Sequence, residues 1–404
     1  MTHSPIKTAD FIIIGAGIIG LSIARELKKR YSDCKIIILE KETQEGEHAS
    51  GRNSGVLHAG FYYSKDSLKA KLTKQGNIAL TKYCIEKNIP LNRCGKLVVA
   101  RDEKDLVGLH ELMQRGKTND IVLQFISAQD AKEIEPRIKT FQHAIFSPTT
   151  SSVDPKIVLK HIREDAEREG ISMHFNVRFL NQKNNKINTT QGEYESGFIV
   201  NSAGLYADQV ARQFGFSKNY YILPFKGLYL YATQPTESFR THIYPVPDLK
   251  NPFLGVHFTI SYDGHVKIGP TAIPAFWREQ YQGISKFNYK ELFDIVYREL
   301  TLLIHAGFDF KRLALNEIKK YNRTILVNHA AELAHDVRRE NYTRWGKPGI
   351  RAQLINIKTR QLEMDFILEG DDRSYHILNA VSPAFTCSMP FANYVVDQIQ
   401  KKIK

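Results

Sequence analysis

The sequence is poor in the features that mark secreted, membrane-spanning and metal-binding proteins. It contains only 4 cysteines in 404 residues, and none of them has C-x-x-C spacing. Neither a disulfide framework nor a cysteine metal site is therefore expected. No run of about eighteen apolar residues is present, so no transmembrane helix is predicted. The opening residues MTHSPIKTAD lack the apolar segment of a signal peptide. We predict a cytoplasmic protein without a metal site.

Signatures of nucleic-acid binding are also missing, although the chain carries a formal net charge of +13. The basic residues are scattered and do not form a dense stripe, and no nucleic-acid-binding motif is present. We therefore predict no nucleic-acid partner. A generally basic surface, attraction of acidic small molecules, and contact with an anionic membrane surface all remain compatible with this charge.

A glycine-rich turn between two apolar runs organises the N-terminal region. Residues 11–14 form a continuous apolar run that is typical of a buried parallel strand. The motif G-x-G-x-x-G follows at Gly15, Gly17 and Gly20, then a helical pattern, then a second apolar run that ends before Glu40. These glycines permit a tight turn and a close approach to a pyrophosphate, while the acidic residue suits a ribose diol. The stretch therefore predicts a dinucleotide-binding βαβ unit.

The rest of the chain indicates a discontinuous organisation. A second strand–turn–helix pattern at residues 197–211 lacks a full G-x-G-x-x-G, so one dinucleotide is predicted. Residues 220–269 alternate in polarity and are rich in Tyr, Phe, Val and Ile, which favours a mixed or antiparallel sheet in a second domain. Residues 281–345 are predicted to be mostly helical. Their most apolar part, residues 292–308, fits either a core helix or a membrane-surface helix.

Seven stretches of the sequence carry a resemblance to known proteins. The opening GAGIIG with Glu40, NSAG at residues 201–204 and SPA at residues 382–384 resemble the D-amino-acid-oxidase-like FAD oxidoreductases. Four further stretches resemble the L-2-hydroxyglutarate dehydrogenase/oxidase family: RNSGVLHAGFYY (52–63), IYPVPD (243–248), FLGVHFT (253–259) and GIRAQ (349–353). The similarity runs from about Asp10 to Asp397 and is weakest over residues 283–345. It implies FAD-dependent oxidation of L-2-hydroxyglutarate to 2-oxoglutarate, with electrons passed to oxygen or to a membrane quinone.

The resemblance also implies a fold and a domain arrangement. The expected fold class is α/β, with a Rossmann-like FAD-binding domain and a discontinuous α+β substrate domain built on a mixed or antiparallel sheet. The FAD-binding domain is expected at residues 1–90, 145–215 and 346–404. The substrate domain is expected at residues 91–144 and 216–345.

Candidate FAD contacts follow from matching the family's motifs onto this sequence. The residues expected to bind the cofactor are Gly15, Gly17, Ile18, Gly20, Glu40, Lys41, Asn53, Ser54, Gly55, Val177, Ala203, Gly204, Pro383, Ala384, Phe385 and Thr386. The amides of residues 384–386, at the start of the last helix, are expected to face the flavin O2 edge, where negative charge develops on reduction.

Oxidation of a 2-hydroxy acid on a flavin requires a base for the hydroxyl proton and cations for the carboxylates. His58, in a glycine-rich loop, and His257, after an apolar run, are the two candidates for the base. A purely structural histidine is the alternative for each, and His58 has the further alternative of a covalent tether to the flavin. The candidates for carboxylate binding are Arg351 and Lys226. Arg351 follows an irregular polar segment, which suits a ligand-facing loop.

Hydroxyl groups are expected to support the cations, from Tyr62, Tyr229, Tyr244 and Thr386. The same fold family also oxidises other small anions, so glycerol 3-phosphate, an N-methyl amino acid or an amino acid is the alternative substrate. A flavin-binding protein without redox turnover and a nicotinamide dehydrogenase are the alternatives from other classes.

Overall fold

The computed structural model describes residues 6–183, 186–233, 239–249, 253–305 and 310–403. Residues 234–238, 250–252 and 306–309, which belong to the predicted second-domain sheet and helical region, lie outside the described residues. The described residues form two compact units. Unit 1 comprises residues 1–52, 155–223 and 352–404, and unit 2 comprises residues 53–154 and 224–351.

The strands and helices are numbered here in chain order. The strands are β1 (Lys7–Ile14), β2 (Ile36–Leu39), β3 (Val56–Leu57), β4 (Leu91–Asn92), β5 (Lys96–Val99), β6 (Gln124–Ser127), β7 (His143–Ser147), β8 (Ser151–Val153), β9 (Ser172–His174), β10 (Phe179–Lys183), β11 (Lys186–Thr189), β12 (Gly192–Asn201), β13 (Tyr220–Gly227), β14 (Leu230–Ala232), β15 (His242–Pro245), β16 (His257–Ile260), β17 (Val266–Gly269), β18 (Ile273–Pro274), β19 (Tyr342–Trp345), β20 (Gly349–Asn356), β21 (Gln361–Leu362), β22 (Leu368–Gly370) and β23 (Ser374–Ile377). The helices are α1 (Ile18–Arg30), α2 (Leu68–Glu86), α3 (Glu103–Thr118), α4 (Ala128–Ile134), α5 (Pro155–Arg168), α6 (Ala207–Gln213), α7 (Tyr289–His305), α8 (Phe310–Lys319), α9 (Arg323–Ala331) and α10 (Ala384–Gln400).

Unit 1 is built on a parallel sheet in the order β23-β12-β1-β2-β9. The apolar run at the end of β1 is buried and lies between β12 and β2, so both edges of this strand are paired. An antiparallel extension, β10-β11, pairs with the first half of β12. Helix α1 packs against α5 and α10. This is the Rossmann-like half of the predicted α/β fold, and the predicted fold class is confirmed.

Unit 2 is built on an eight-stranded sheet in the order β19-β14-β17-β16-β15-β5-β7-β6. Its neighbouring strands are antiparallel except for the parallel pair β15 and β5. A small separate sheet contains β3, β8 and β4. The sheet of mixed orientation agrees with the alternating polarity of residues 220–269.

The two faces of the large sheet have different compositions, because successive side chains of a strand point to opposite faces. Leu97 and Val99 of β5, with Phe258 of β16, belong to an apolar cluster that includes residues of α9. The residues that alternate with them, such as Val98 and Tyr244, belong to a second cluster with Phe61 and Tyr62. Ionisable and hydroxyl side chains are concentrated among the residues that alternate with the first cluster.

Several predicted elements differ from those observed. The sequence pattern predicts one strand at residues 193–196 and another that begins at Gly197, but residues 192–201 form the single strand β12, because β1, β11 and β23 pair with it along its length. The sequence also predicts a strand over residues 172–177, but β9 ends at His174, where its pairing with β2 ends. The loop position predicted for Arg351 is wrong, because this residue lies on β20.

Candidate active site

The glycine motif lies at the carboxyl end of β1, where a parallel sheet binds its ligands. Gly15 has φ = +108°, and a Cβ there would lie 2.7 Å from the carbonyl oxygen of Ser202. A Cβ on Gly20 would lie 2.0 Å from the carbonyl oxygen of Gly15. A side chain at either position would therefore force α1 and the neighbouring 202–203 segment away from β1. The turn is built for close backbone approach, which is what a pyrophosphate requires.

Glu40 is held rigidly at the end of β2. It is 9% exposed, its Oε2 accepts a hydrogen bond from the amide of Ala16 at 2.8 Å, and its Oε1 accepts one from Glu42 at 3.0 Å. The amide of Ile18, which begins α1, donates to Ser50 Oγ at 3.0 Å. The carboxylate is thereby linked to the glycine turn, and its remaining lone pairs suit a ribose diol.

Other predicted FAD residues of unit 1 lie around the same sheet edge. The Val177 amide donates to the carbonyl oxygen of Glu40 at 2.8 Å, and a Cβ on Gly15 would lie 3.3 Å from Ala203 Cα. Gly204 begins a short 3-10 helix with φ = +55°. Lys41 Nζ lies 5.5 Å from the centre of the Tyr206 ring. Pro383 is the N-cap of α10, and this helix begins with Ala384, Phe385 and the buried Thr386.

The predicted FAD residues Asn53, Ser54 and Gly55 belong to unit 2. Gly55 has φ = +78°, and its amide donates to Asn53 Oδ1 at 2.8 Å, which fixes a turn before β3. The carbonyl oxygen of Ser54 accepts a hydrogen bond from Lys267 Nζ at 3.0 Å. Gly17 completes the glycine motif in unit 1, where a Cβ would lie 3.0 Å from Ser50 Oγ.

Both histidine candidates lie in unit 2 and are buried. His58 directly follows β3, and His257 begins β16. The His257 ring stacks on the Tyr244 ring, with their centres 3.7 Å apart and their planes at 17°. Nδ1 of His257 lies 3.0 Å from the carbonyl oxygen of Gly255. Since a carbonyl only accepts, Nδ1 must carry the proton when the ring is neutral, which leaves Nε2 as the basic atom.

Burial keeps these imidazoles neutral. Desolvation, with a further contribution from the charge of Lys96, lowers the pKa of His58 to about 3. Burial lowers the pKa of His257 well below its usual value, again with Lys96 among the contributing charges. The pKa of a third histidine, His242, is lowered to about 3 by burial, and Lys96 again contributes. A neutral imidazole can accept a proton, which an imidazolium cannot.

Lys96 is the most unusual side chain of this face. It lies on β5 opposite His242 of β15, and its relative exposure is 0%. Nζ lies 4.6, 4.5 and 4.9 Å from the ring centres of Phe61, Tyr62 and Tyr244. Among the described residues, Nζ has no hydrogen-bond partner. Burial lowers the pKa of Lys96 to about 7, so the aromatic rings stabilise only part of the charge.

The cationic candidates lie on β20 and β13, which are neighbouring strands of a separate four-stranded sheet in the order β18-β13-β20-β21. Arg351 Nη1 donates to the carbonyl oxygen of Thr271 at 2.9 Å, and its guanidinium carbon lies 5.6 Å from the centre of the Phe253 ring. Lys226 lies on β13, where it pairs with Ile273 of β18, and burial lowers its pKa. Burial raises the pKa of Tyr229 to about 12, so its hydroxyl remains a hydrogen-bond donor at neutral pH.

Two lysines and one histidine of this region were not predicted from the sequence. Lys267 of β17 lies 4.9 Å from the centre of the Tyr229 ring, and burial lowers its pKa to about 8. Lys96 and His242 share the face of Tyr244. The sequence carried a signal for Lys96, because this single lysine directly precedes the apolar run LVVA at residues 97–100.

Unit 2 thus brings together the predicted residues Tyr62, Tyr244 and His257, with Lys96 in contact with both tyrosine rings. His58 and Lys96 are coupled electrostatically. A second group, Tyr229 and Arg351, is coupled electrostatically as well. Thr386 lies in unit 1 with the other residues at the start of α10. Such a face has the groups needed to hold an anion and remove a proton.

Comparison with known proteins identifies the class of protein. Residues 10–398 match the family described as "FAD dependent oxidoreductase" (DAO). The chain belongs to this family of FAD-dependent oxidoreductases, and the expected cofactor, FAD, is confirmed. The residues at the glycine turn fit it, since a Cβ at Gly15 or Gly20 would fill the turn.

Individual relatives narrow the class to one group. The chain is 34% identical to the mitochondrial L-2-hydroxyglutarate dehydrogenase of Bos taurus over 421 residues, covering 98% of this chain and 89% of that protein. It is 32% identical to the L-2-hydroxyglutarate dehydrogenase of Escherichia coli strain K12 over 413 residues, covering 97% and 93%. The resemblance to the L-2-hydroxyglutarate dehydrogenase family stated from the sequence is therefore confirmed.

Solved structures support the fold. L-alpha-glycerophosphate oxidase from Mycoplasma pneumoniae superposes with a TM-score of 0.77 at 22% identity, covering 98% of this chain and 95% of that chain. Glycine oxidase from Geobacillus kaustophilus gives a TM-score of 0.73 at 19% identity, with coverages of 98% and 95%. At these identities the likeness concerns the fold alone.

Proposed function

We propose that this chain oxidises L-2-hydroxyglutarate to 2-oxoglutarate with FAD. The observation that carries the proposal is the polar face of the unit 2 sheet, where neutral histidines lie with buried lysines and tyrosine hydroxyls. The full-length relatives named as L-2-hydroxyglutarate dehydrogenases support the choice of substrate. A dicarboxylate needs cationic partners, and its hydroxyl needs a base, so this combination of groups suits it.

In this proposal, either His58 or His257 accepts the hydroxyl proton. Nε2 of His257 carries the free lone pair, because Nδ1 donates to Gly255. A bound dicarboxylate raises the pKa of a nearby histidine, since negative charge stabilises the imidazolium. Substrate binding would thus move the base from its low resting pKa toward the working pH. The charge of Lys96 opposes premature protonation before the substrate arrives.

The carboxylates are assigned to Arg351 and Lys226, with the hydroxyls of Tyr62, Tyr229, Tyr244 and Thr386 as supporting donors. Arg351 is held by Thr271, so its guanidinium is oriented before the substrate binds. Lys226 is buried on β13 and loses little entropy on binding. Arginine and lysine together then match the two charges of a dicarboxylate.

The cofactor is assigned to the predicted FAD residues, with the glycine turn at the pyrophosphate and Glu40 at the ribose. When bound, FAD supplies the hydride acceptor. The chain itself orients the substrate, holds the proton that leaves its hydroxyl and excludes water from the reacting atoms. Electrons then leave to oxygen or to a membrane quinone. The cytoplasmic location expected from the sequence stays a prediction.

Anaerobic flavin bleaching tests the substrate. The purified yellow protein is mixed with L-2-hydroxyglutarate, D-2-hydroxyglutarate, glycerol 3-phosphate, an N-methyl amino acid or an amino acid. We expect loss of flavin absorbance with L-2-hydroxyglutarate and slow or no loss with the D-isomer, which controls for non-specific reduction. Rapid bleaching by one of the other compounds, without bleaching by L-2-hydroxyglutarate, would replace the proposed substrate with that compound.

A further inference from the structure

Helix α7 has two apolar faces, and only one of them is buried by the residues that the structure describes. Ile295 and Leu302 are 0% and 2% exposed and face the interior of unit 2. On the other side, five large apolar residues are 51–72% exposed: Tyr289, Phe293, Tyr297, Leu300 and Ile304. At about 100° per residue these five side chains fall within an arc of roughly 80°. They form a single stripe, here called the α7 stripe.

Exposed apolar residues are concentrated around this helix. Of the 22 large hydrophobic residues that are exposed in the described part of the chain, ten lie between residues 284 and 321. Ile284 and Phe287 precede the α7 stripe, while Leu315, Ile318 and Tyr321 follow it on and after α8. Helices α7 and α8 contact each other. Scattered exposed apolar residues need no explanation, but a cluster of this density marks an interaction surface.

The charges exposed in the same segment are mostly positive. Lysine and arginine side chains are exposed at residues 290, 311, 312 and 319. Of the acidic residues on α7 and α8, Glu299 and Glu317 are buried, and burial raises the pKa of Glu299 to about 8, so it is mostly neutral at pH 7. Asp294 is exposed and paired with Arg298. The occupant of this surface must therefore offer negative charge together with apolar material.

An anionic bilayer surface offers both. Phenylalanine and tyrosine rings partition to the boundary between headgroups and acyl chains, and lysines beside them contact anionic headgroups. A second copy of the same surface would bring like charges together. Within the described residues, no helix is long and apolar enough to span a bilayer. An amphipathic helix that lies in the membrane plane does not need to span the bilayer.

We propose that the α7 stripe inserts into the surface of an anionic membrane and that the basic residues of α7 and α8 bind its headgroups. This inference deepens the proposed function, because a membrane-bound chain could pass its electrons to a membrane quinone. Only this biological purpose rests on the proposed function; the membrane contact itself does not. Vesicle binding is measured without substrate, so it can fail while FAD-dependent turnover of L-2-hydroxyglutarate persists, and the reverse is equally visible.

The test is co-sedimentation of the FAD-loaded chain with phosphatidylcholine vesicles and with phosphatidylcholine vesicles that contain 30% phosphatidylglycerol. We expect binding to the anionic vesicles that is at least about tenfold tighter than to the neutral vesicles and that weakens with salt. The double variant Phe293→Glu/Tyr297→Glu should lower this affinity at least about tenfold. Phe293→Leu/Tyr297→Phe keeps the stripe apolar and should retain binding.

A matched control introduces the same charges at exposed apolar residues elsewhere in unit 2. Ile78→Glu/Val107→Glu changes residues of α2 and α3 that are 59% and 73% exposed, and it should bind vesicles like the unaltered chain. Equal losses in both glutamate variants, or no binding by the unaltered chain, would overturn the proposal. Light scattering that shows a dimer converted to a monomer only by Phe293→Glu/Tyr297→Glu would overturn it in favour of a second copy.

Discussion

Lys96 shows how a single buried charge can set the state of its neighbours. The ammonium group contacts three aromatic rings and has no hydrogen-bond partner among the described residues. Leaving a lysine buried in this way costs free energy, and the low pKa of the group expresses that cost. Burial lowers the pKa of His58, His242 and His257, and the charge of Lys96 lowers each of them further. The position of Lys96 therefore favours the neutral form of both candidate bases.

Lys96→Met should change the pH dependence of catalysis. Removing the charge raises the pKa of His58 and His257, so the base becomes protonated at a higher pH. The pH dependence of kcat reports the substrate complex, in which the bound dicarboxylate has raised the pKa of the base. We expect the acid limb of kcat to move up by about one pH unit. Lys96→Arg, which keeps a charge, should leave the limb near its original position. Flavin absorbance and Tm report whether either variant is misfolded. A lower kcat with an unchanged pH profile would contradict the electrostatic role.

The two candidate bases are separated by single substitutions. His58→Asn and His257→Asn each retain a polar side chain but remove the proton acceptor. Loss of the base should lower kcat about 10²- to 10⁴-fold, while a structural histidine should mainly lower Tm. We expect one of the two variants to lose kcat and the other mainly to lose thermal stability. If the flavin stays attached to the unaltered chain after denaturation but is released from the denatured His58→Asn variant, His58 is instead the site of a covalent tether.

Arg351→Ala should weaken substrate binding without loss of FAD. The guanidinium is held by Thr271 and has no role among the predicted cofactor contacts. Loss of charge-assisted hydrogen bonds to a carboxylate should raise KM roughly 30- to 100-fold. Arg344→Ala, at an exposed position on β19, is the matched control and should leave KM unchanged. Equal kinetics in the two variants would remove Arg351 from the site.

At the scale of elements, the β1-turn-α1-β2 unit depends on backbone contacts that only glycine permits. Gly20→Ala would place a methyl group 2.0 Å from the carbonyl oxygen of Gly15 and 2.6 Å from Ser202 Oγ. Helix α1 must then move away from the turn, which we expect to destabilise the chain by about 1–3 kcal/mol and to lower FAD affinity. Lys29→Ala, on the exposed side of α1, is the control. FAD titration and thermal unfolding provide the readouts, and an unchanged FAD affinity in Gly20→Ala would show that the turn tolerates the shift.

The same unit could be predicted from the sequence because its signals are local. The apolar runs, the glycine spacing and Glu40 all lie within residues 10–42, and each has one structural meaning. The polar face of unit 2 is different. It depends on the pairing of β5 with β15, which puts Lys96 opposite His242 although 146 residues separate them. Strand alternation alone could mark Lys96 as unusual, but the partners of a strand are set by topology that no local pattern contains.

Arg351 illustrates the same limit at one position. The polar residues before it favoured a loop, yet Ile350 and Leu354 are buried and the segment pairs as a strand. Tertiary pairing overrode the local composition. For α7, the apolar stretch was compatible with both a core helix and a membrane-surface helix, and the helix has one face suited to each. The periodicity of the apolar residues predicted the helix, but it could not predict which face of the helix would be buried.

For the whole molecule, the buried histidines predict sensitivity to acid. The pKa values of His58 and His242 are lowered to about 3 and that of His376 to about 4, in each case first by burial. Unfolded histidines titrate near pH 6.5, so between about pH 6.5 and pH 4 the unfolded chain binds more protons than the folded chain. Stability must therefore fall as the pH falls through this window. Each such histidine contributes about 1.4 kcal/mol per pH unit.

His257, whose pKa burial also lowers well below its usual value, adds to these three, and the four buried histidines together should lower the free energy of unfolding by roughly 5 kcal/mol per pH unit below about pH 6. Since typical stabilities are about 5–15 kcal/mol, we expect unfolding and FAD release near pH 4. Urea unfolding followed by circular dichroism at pH 7, 6, 5 and 4 measures the slope. His376→Asn, which removes one of the four buried titrating groups, should reduce the slope by about a quarter. His329→Asn, at an exposed position on α9, should leave it unchanged. A stability that stays flat from pH 7 to pH 4.5 would mean that these histidines accept protons in the folded chain, and the neutral-base mechanism would lose its electrostatic foundation.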